Sequence, residues 1–212
     1  VSLFLATPIH GDASAAFAES MAVTMATFAR DRVGFERFVV HGDSLVHRAR
    51  NAIAHRFLAS DCTHLLMVDA DMEFSPADVL ALAAANVDVV GGVCSRKVLG
   101  SGPVLTPLEG GEVREDGLVE VSRIGTGFML ISRSSLERIA AAYPDDVYVA
   151  STGDAGHAGQ DVHAFFQSPL LGRELISEDF FFCDRWRSVG GRVWAHPGVR
   201  PEHVGSYTYR VT

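Results

Sequence analysis

Short apolar runs alternate with stretches of helical periodicity through the first half of the chain, the pattern of β-α units that build a mostly parallel sheet. Residues 2–7 (SLFLAT) read as a strand ending at Pro8, and the alanine-rich 13–29 as a helix. A second strand falls at 36–40. In the helix at 44–59, Leu45, Ala49, Ala52, Ile53 and Phe57 recur at helical spacing and form one apolar stripe. The strand at 63–68 then climbs through Leu65, Leu66, Met67 and Val68 into two aspartates. Ser75-Pro76-Ala77-Asp78 opens the next helix: serine suits the N-cap, proline the first turn, and Asp78 the acidic position three residues after the cap. Residues 88–93 are again a strand.

From Leu99 the texture changes, and glycine and proline accumulate. Residues 112–121 read as a hairpin turning at Glu115-Asp116-Gly117, 127–132 as a strand and 135–142 as a helix. The stretch 150–173 is rich in Gly, Ser, His and Asp around a few aromatics and reads as a long loop. A helix over 178–189 stops at Gly190-Gly191, and a short strand at 192–195 precedes an irregular tail. No internal repeat or linker interrupts the pattern, so the expectation is one domain spanning 1–212.

Composition narrows the function classes. With 48% hydrophobic residues in 212, the chain can bury a sizeable core, and no charge run or low-complexity tract points to disorder. No apolar stretch nears the roughly 20 residues of a membrane span, and no signal-peptide pattern opens the chain, so a soluble protein without a membrane span is expected. Three cysteines (Cys62, Cys94, Cys183) are odd in number and widely spaced. They make neither a disulfide framework nor a zinc motif, which fits a cytoplasmic location. The net charge of −8 argues against nonspecific nucleic-acid binding, and an acidic protein handling an anionic ligand needs a divalent cation or arginines to do so.

Candidate chemistry centres on "HLLMVDADMEFSP", residues 64–76. On an extended strand, residues two apart share a face at about 6–7 Å, so Asp69 and Asp71 project together from the strand's C-terminal end. That edge is where open α/β sheets bind ligands. Two adjacent carboxylates repel unless a cation intervenes, and a divalent ion between them and a diphosphate would turn the repulsion into binding. The plainer alternative, one aspartate capping a helix, is weakened because Ser75 already supplies a cap. Arg50 borders the apolar stripe of its helix and needs an anionic or carbonyl partner, supplied by a nucleotide or by a structural ion pair. Lys97, just after a strand, suits a phosphate or plain solvation. His157, Asp161 and His163 match no defensible zinc spacing and read as a polar lid. Trp186 and Trp194 read as packing residues.

The pieces "FLATPIHG", "ARN" (49–51), "HLLMVDADMEFSP", "GTGFMLISR" (125–133), "SEDFFFCDRWRSVGGRVWAHP" (177–197) and "HVGSYTY" (203–209) occur in an order that resembles GT-A-fold glycosyltransferases. The likeness runs nearly the full chain. It is greatest to small bacterial or phage family-2-type enzymes, with a partial likeness to the mannan-polymerase type. It implies an α/β, GT-A-like (Rossmann-like) fold, a mostly parallel sheet flanked by helices with a small antiparallel hairpin region. It also implies transfer of a hexose from a nucleoside-diphosphate sugar of UDP or GDP type, with Mn²⁺ or Mg²⁺, to a hydroxyl acceptor. A glycan or protein acceptor is favoured, and a hydroxylated DNA base is a further class.

Residue by residue, the resemblance assigns Thr7 and Pro8 to the base-binding loop and Arg50 and Asn51 to the nucleotide side. It sets Asp69 near the ribose or metal, and Asp71 and His203 on the metal. Gly125, Thr126 and Gly127 would let backbone approach the sugar. Asp179 is the candidate general base, with Glu178 beside it, although Ser177-Glu178-Asp179 is also an ordinary helix N-terminus. The mannan-polymerase likeness leaves retention or inversion open. The alternatives are a catalytically inactive nucleotide-sugar-binding or scaffold protein of the same fold and a nucleotidyltransferase, the latter disfavoured by the lack of a Gly-rich basic loop near the N-terminus.

Overall fold

The computed structural model describes residues 1–98, 102–151 and 157–205. Along the chain the elements are β1 (Leu3–Ile9), α1 (Ala15–Asp31), β2 (Phe35–His41), α2 (Val46–Leu58), β3 (His64–Val68), β4 (Met72–Glu73), α3 (Pro76–Ala84) and β5 (Val89–Gly92). There follow β6 (Leu105–Pro107), β7 (Val119–Ile124), β8 (Phe128–Ser132), α4 (Arg133–Ala142), β9 (Val147–Val149) and β10 (Asp161–His163). The last are β11 (Leu170–Leu171), β12 (Glu174–Leu175), α5 (Glu178–Ser188), β13 (Val193–His196) and β14 (Glu202–His203).

Eight strands form one sheet in the order β2-β1-β3-β8-β5-β13-β7-β6. Six of them run one way, while β8 and β7 run opposite, so the expected α/β, mostly parallel architecture is the observed one. Strand pleating sends Leu65 and Met67 into one core and Leu66 and Val68 into another, which is why this strand reads as a continuous apolar run. The first core packs against α2, α4 and α5 through Ile53, Phe57, Leu136, Phe182 and Trp186. The second packs against α1 and α3 through Phe17, Met21, Phe28, Val79 and Leu82. The sheet therefore lies between two helical layers.

Local chemistry sets the element ends. Ser75 accepts the Asp78 N–H at 3.3 Å while Asp78 accepts the Ser75 N–H at 2.8 Å, the capping box expected from the sequence. β1 runs one residue beyond Pro8, because its pairing with β3 stops at Ala6 and a proline with one neighbouring strand is tolerated. α4 starts earlier than expected, at Arg133, because the Ser132 hydroxyl accepts the Ser135 N–H at 3.2 Å and caps it.

The expected 112–121 hairpin is present but short: Val113 bridges Val119, the Arg114 N–H donates to the Leu118 carbonyl at 2.9 Å and the Glu120 N–H to the Glu112 carbonyl at 2.8 Å, with Gly117 (φ 86°) in the turn, while the ladder partners of β7 are β6 and β13. Two readings need correction. The 150–173 stretch is not one loop: β9 pairs with β10, β11 pairs with β12, and Phe165 and Phe166 are buried. The tail is anchored, because β14 pairs with β4. Residues 152–156 of that stretch and 206–209 of the "HVGSYTY" segment lie outside the described residues.

Gly190 and Gly191 do two separate jobs. Gly190 takes φ 82°, which ends α5. Gly191 makes room for Trp186: an added Cβ would stand 2.0 Å from the ring atom Cε2. Trp186 has no slack to give, being fully buried with its Nε1 donating to the Arg192 carbonyl at 2.9 Å. Gly191→Ala is therefore expected to lower stability by about 3 kcal/mol, measured as a shift of the urea midpoint. A loss under about 1 kcal/mol would mean the turn moves aside freely.

Candidate functional site

The C-terminal edge of the sheet collects the side chains. β3 ends at Val68, so Asp69 and Asp71 fall on the turn into β4. The Asp69 N–H donates to the Gly127 carbonyl at 3.0 Å, and the Met72 N–H donates to the Asp69 carbonyl at 3.2 Å. Because β8 is antiparallel to β3, its N-terminal start arrives at this same edge and brings Gly125-Thr126-Gly127 with it. β14 lies along β4, and the Val204 N–H donates to the Asp71 carbonyl at 2.8 Å, which places His203 beside Asp71.

Two charge clusters result. In the first, Arg50 on α2 is 4% exposed and binds two acids. Its Nη2 donates to Asp69 at 3.0 and 3.3 Å, and its Nη1 donates to Glu178 at the start of α5. Burial pushes the guanidinium toward losing its proton, but the carboxylates of Asp69, Glu178 and Asp179 more than offset this and raise its pKa. Asp179 follows on the same helix turn. Its Oδ1 accepts from the Ser177 hydroxyl and from the Phe180 N–H at 2.8 Å. Its Oδ2 lies 3.5 Å from where a side chain on Gly125 would begin. Gly127 is tighter against Asp69, whose Oδ2 would be 3.2 Å from an added Cβ, so this glycine leaves room for that acid, whereas the tight neighbour of Gly125 is Val104, with Cγ1 at 3.0 Å.

In the second cluster, Oδ2 of Asp71 pairs with the Lys97 ammonium and with Nε2 of His203 at 3.3 Å. Burial acts to raise the Asp71 pKa, yet the His203 and Lys97 partners outweigh it and hold the group at about 2. For His203, burial acts to lower the pKa, and Asp71 and the Ser95 carbonyl reverse it to a raised value. Nδ1 of His203 lies 3.0 Å from that carbonyl. With Nδ1 donating there, Nε2 faces the carboxylate with either a proton or a lone pair, and a lone pair needs a cation between the two. Oδ1 of Asp71 is buried with no hydrogen-bond partner. A carboxylate oxygen without a partner and an imidazole nitrogen suit a Mn²⁺-class ion. Among the described residues no cluster of three His, Cys, Asp or Glu donors is present, because the Asp69 carboxylate is turned to Arg50, so an ion here would have two protein donors, Asp71 and His203.

Two cavities meet at Asp69. One of about 130 Å³ is bordered by Arg50, Gly125, Gly127, Glu178, Asp179 and His203. Cys94 also lines it, but burial and the nearby Asp69 and Asp71 push its thiol pKa up, so it stays protonated and is no nucleophile. The other cavity, about 260 Å³, runs past Pro8, His10, Asp43 and Ala49 to Asp69 and Asp71. Thr7 is buried and its hydroxyl accepts from Arg37 at 2.9 Å. Thr126 is also buried, its hydroxyl without a partner.

Asn51 is placed apart from these groups. Its amide donates to the Phe166 carbonyl at 2.9 Å and its side-chain oxygen accepts the Phe166 N–H at 2.8 Å, a clamp on the chain after β10. It borders a separate cavity of about 380 Å³ with His47, Tyr148 and Gln167, which contains none of the acids above. His157 packs on His55 with ring centres 4.7 Å apart, while His163 meets the Tyr143 carbonyl at 2.9 Å, so these histidines form no metal group. Trp186 and Trp194 are buried packing residues, as expected.

Sequence reasoning missed Asp43, whose carboxylate takes Arg48 at 2.8 and 2.9 Å and the Leu45 N–H at 2.9 Å at the cleft wall. The signal available was an acid two residues before the N-cap of α2, Leu45, which has no capping side chain.

No protein-family model and no curated protein matches the sequence. Solved structures do. A197 from STIV is similar with a TM-score of 0.60 at 17% identity, covering 97% of this chain and 86% of that one. GalNAc-T7, solved with UDP, GalNAc and Mn²⁺, is similar with a TM-score of 0.59 at 12% identity, covering 99% of this chain and 44% of that one. At such identities the likeness establishes the fold: this chain is a GT-A-like α/β protein. Among the described residues, no helix is long and apolar enough to cross a membrane.

Proposed function

We propose that the chain is a metal-dependent glycosyltransferase, moving a hexose from a UDP- or GDP-type sugar to a hydroxyl of a glycan or protein. The whole activity would reside in one domain, 1–212. The observation that carries this reading is the convergence, on one sheet edge, of Asp69, Asp71, His203, Glu178 and Asp179 around two cavities that share Asp69 in their walls. The Mn²⁺, UDP and GalNAc in the GalNAc-T7 structure support the same donor chemistry on this fold.

In this reading the longer cleft at Pro8 and Asp43 receives the nucleoside, and the smaller cavity receives the sugar. Asp71 and His203 would hold the divalent cation, which supplies positive charge for the departing diphosphate. Arg50 fixes Asp69 and Glu178 in place and leaves Asp179 as the acid whose Oδ2 borders the sugar cavity. As the acceptor oxygen bonds to the anomeric carbon, the bond to the diphosphate breaks and its electron pair leaves with the diphosphate. Asp179 takes the acceptor proton.

The test is thermal stability against nucleoside diphosphates and their sugars, with and without Mn²⁺. Stabilisation needing both metal and one nucleotide supports the donor site and names the base. Asp71→Ala is expected to remove the metal-dependent part of that shift. Unchanged Mn²⁺-dependent binding in the variant would sink the metal assignment. Product analysis separates the competing classes: a transferase releases nucleoside diphosphate, a nucleotidyltransferase pyrophosphate, and a binding protein neither.

A further inference from the structure

The cation already at Asp71 is a lysine. Lys97, on the segment leaving β5, places its ammonium on Oδ2, the oxygen that also faces His203. Lys97 is 40% and Asp71 33% exposed, so the pair is wet and exchangeable, unlike the buried Arg50 cluster. The lysine also leaves the site incomplete, because Oδ1 remains buried without a partner. A divalent ion held by this carboxylate and by Nε2 of His203 would stand within a few ångströms of the ammonium, where like charges repel strongly.

We propose that Lys97 is a resident counter-ion of Asp71 that a divalent cation must displace, so that this lysine sets the metal affinity of the nucleotide-free protein. The proposal rests on the metal-dependent reading above. Once displaced, the ammonium stays on the same rim and is available to an arriving diphosphate, which ties metal loading to donor arrival.

Mn²⁺ binding to the full chain, followed by the loss of the free-ion electron paramagnetic resonance signal without nucleotide, tests it. Lys97→Met is expected to bind Mn²⁺ about fivefold tighter than wild type, the scale of one half-exposed ion pair. Arg96→Met removes the same charge from the neighbouring position and is expected to leave the affinity unchanged. Equal or weaker binding in Lys97→Met overturns the proposal and leaves the metal site standing. An equal gain in Arg96→Met also overturns it, since net charge alone would then explain the effect. Absence of Mn²⁺ binding in both wild type and Lys97→Met without nucleotide overturns the proposal, and the metal-dependent reading then stands or falls on the titration with metal and nucleotide together.

Discussion

Asp179→Asn is expected to lower turnover by at least roughly 100-fold while leaving donor affinity near wild type, the scale of a lost general base. The substitution is well suited to the question. The asparagine oxygen can still accept from the Ser177 hydroxyl and the Phe180 N–H, as Oδ1 does now, so the start of α5 keeps its bonds. What changes is the atom beside Gly125, where a carboxylate oxygen that can take a proton becomes an amide that cannot. Initial rates with saturating donor, together with a separate donor titration, divide the effect between chemistry and binding. Near-normal turnover would remove Asp179 from the mechanism.

A large effect on stability is also expected at Arg50. Replacing it with methionine keeps much of the volume but leaves Asp69 and Glu178 facing each other without their shared cation. Stranding buried charge costs about 3–5 kcal/mol, and the lower end applies because the Asp69 side chain is 32% exposed and keeps part of its hydration. The expected loss of about 3 kcal/mol corresponds to a fall in melting temperature of roughly 6–12 °C for a chain of this size. Arg50→Lys should recover part of it, since one ammonium cannot reproduce the two-armed contact. A methionine variant within about 1 kcal/mol of wild type would show that the two acids find other partners and that Arg50 is no keystone.

The local elements were legible because strand and helix periods are written into neighbouring residues. The apolar run before Asp69, the stripe from Ala49 to Phe57 and the capping box at Ser75 each became the element they suggested, although Leu45, read as the first member of that stripe, is the exposed N-cap. Strand order was not legible. Nothing within β8 says that it inserts, reversed, between β3 and β5, because that choice depends on the packing of whole layers. The site divides along the same line. Asp69 and Asp71 stood out as acids ending a buried strand, and Arg50 as a cation on a core edge that needed a partner. That one arginine would meet both Asp69 and Glu178 required the fold. The pairings of Asp71 with Lys97 and of Asp43 with the turn before α2 come from loops, where ion pairs leave no periodic trace.

β14 is two residues long, yet it fastens a segment from late in the chain onto the turn that carries Asp71. The loop it closes begins near Met72 and contains most of the later elements, α5 among them. Closing so long a loop costs only slightly more than closing one of half its length, because the entropy grows as the logarithm of length. The arrangement is thus cheap in equilibrium terms, while pairings between segments so distant in sequence are slower to form than local ones. Any ligand that needs His203 beside Asp71 therefore depends on this small ribbon staying closed.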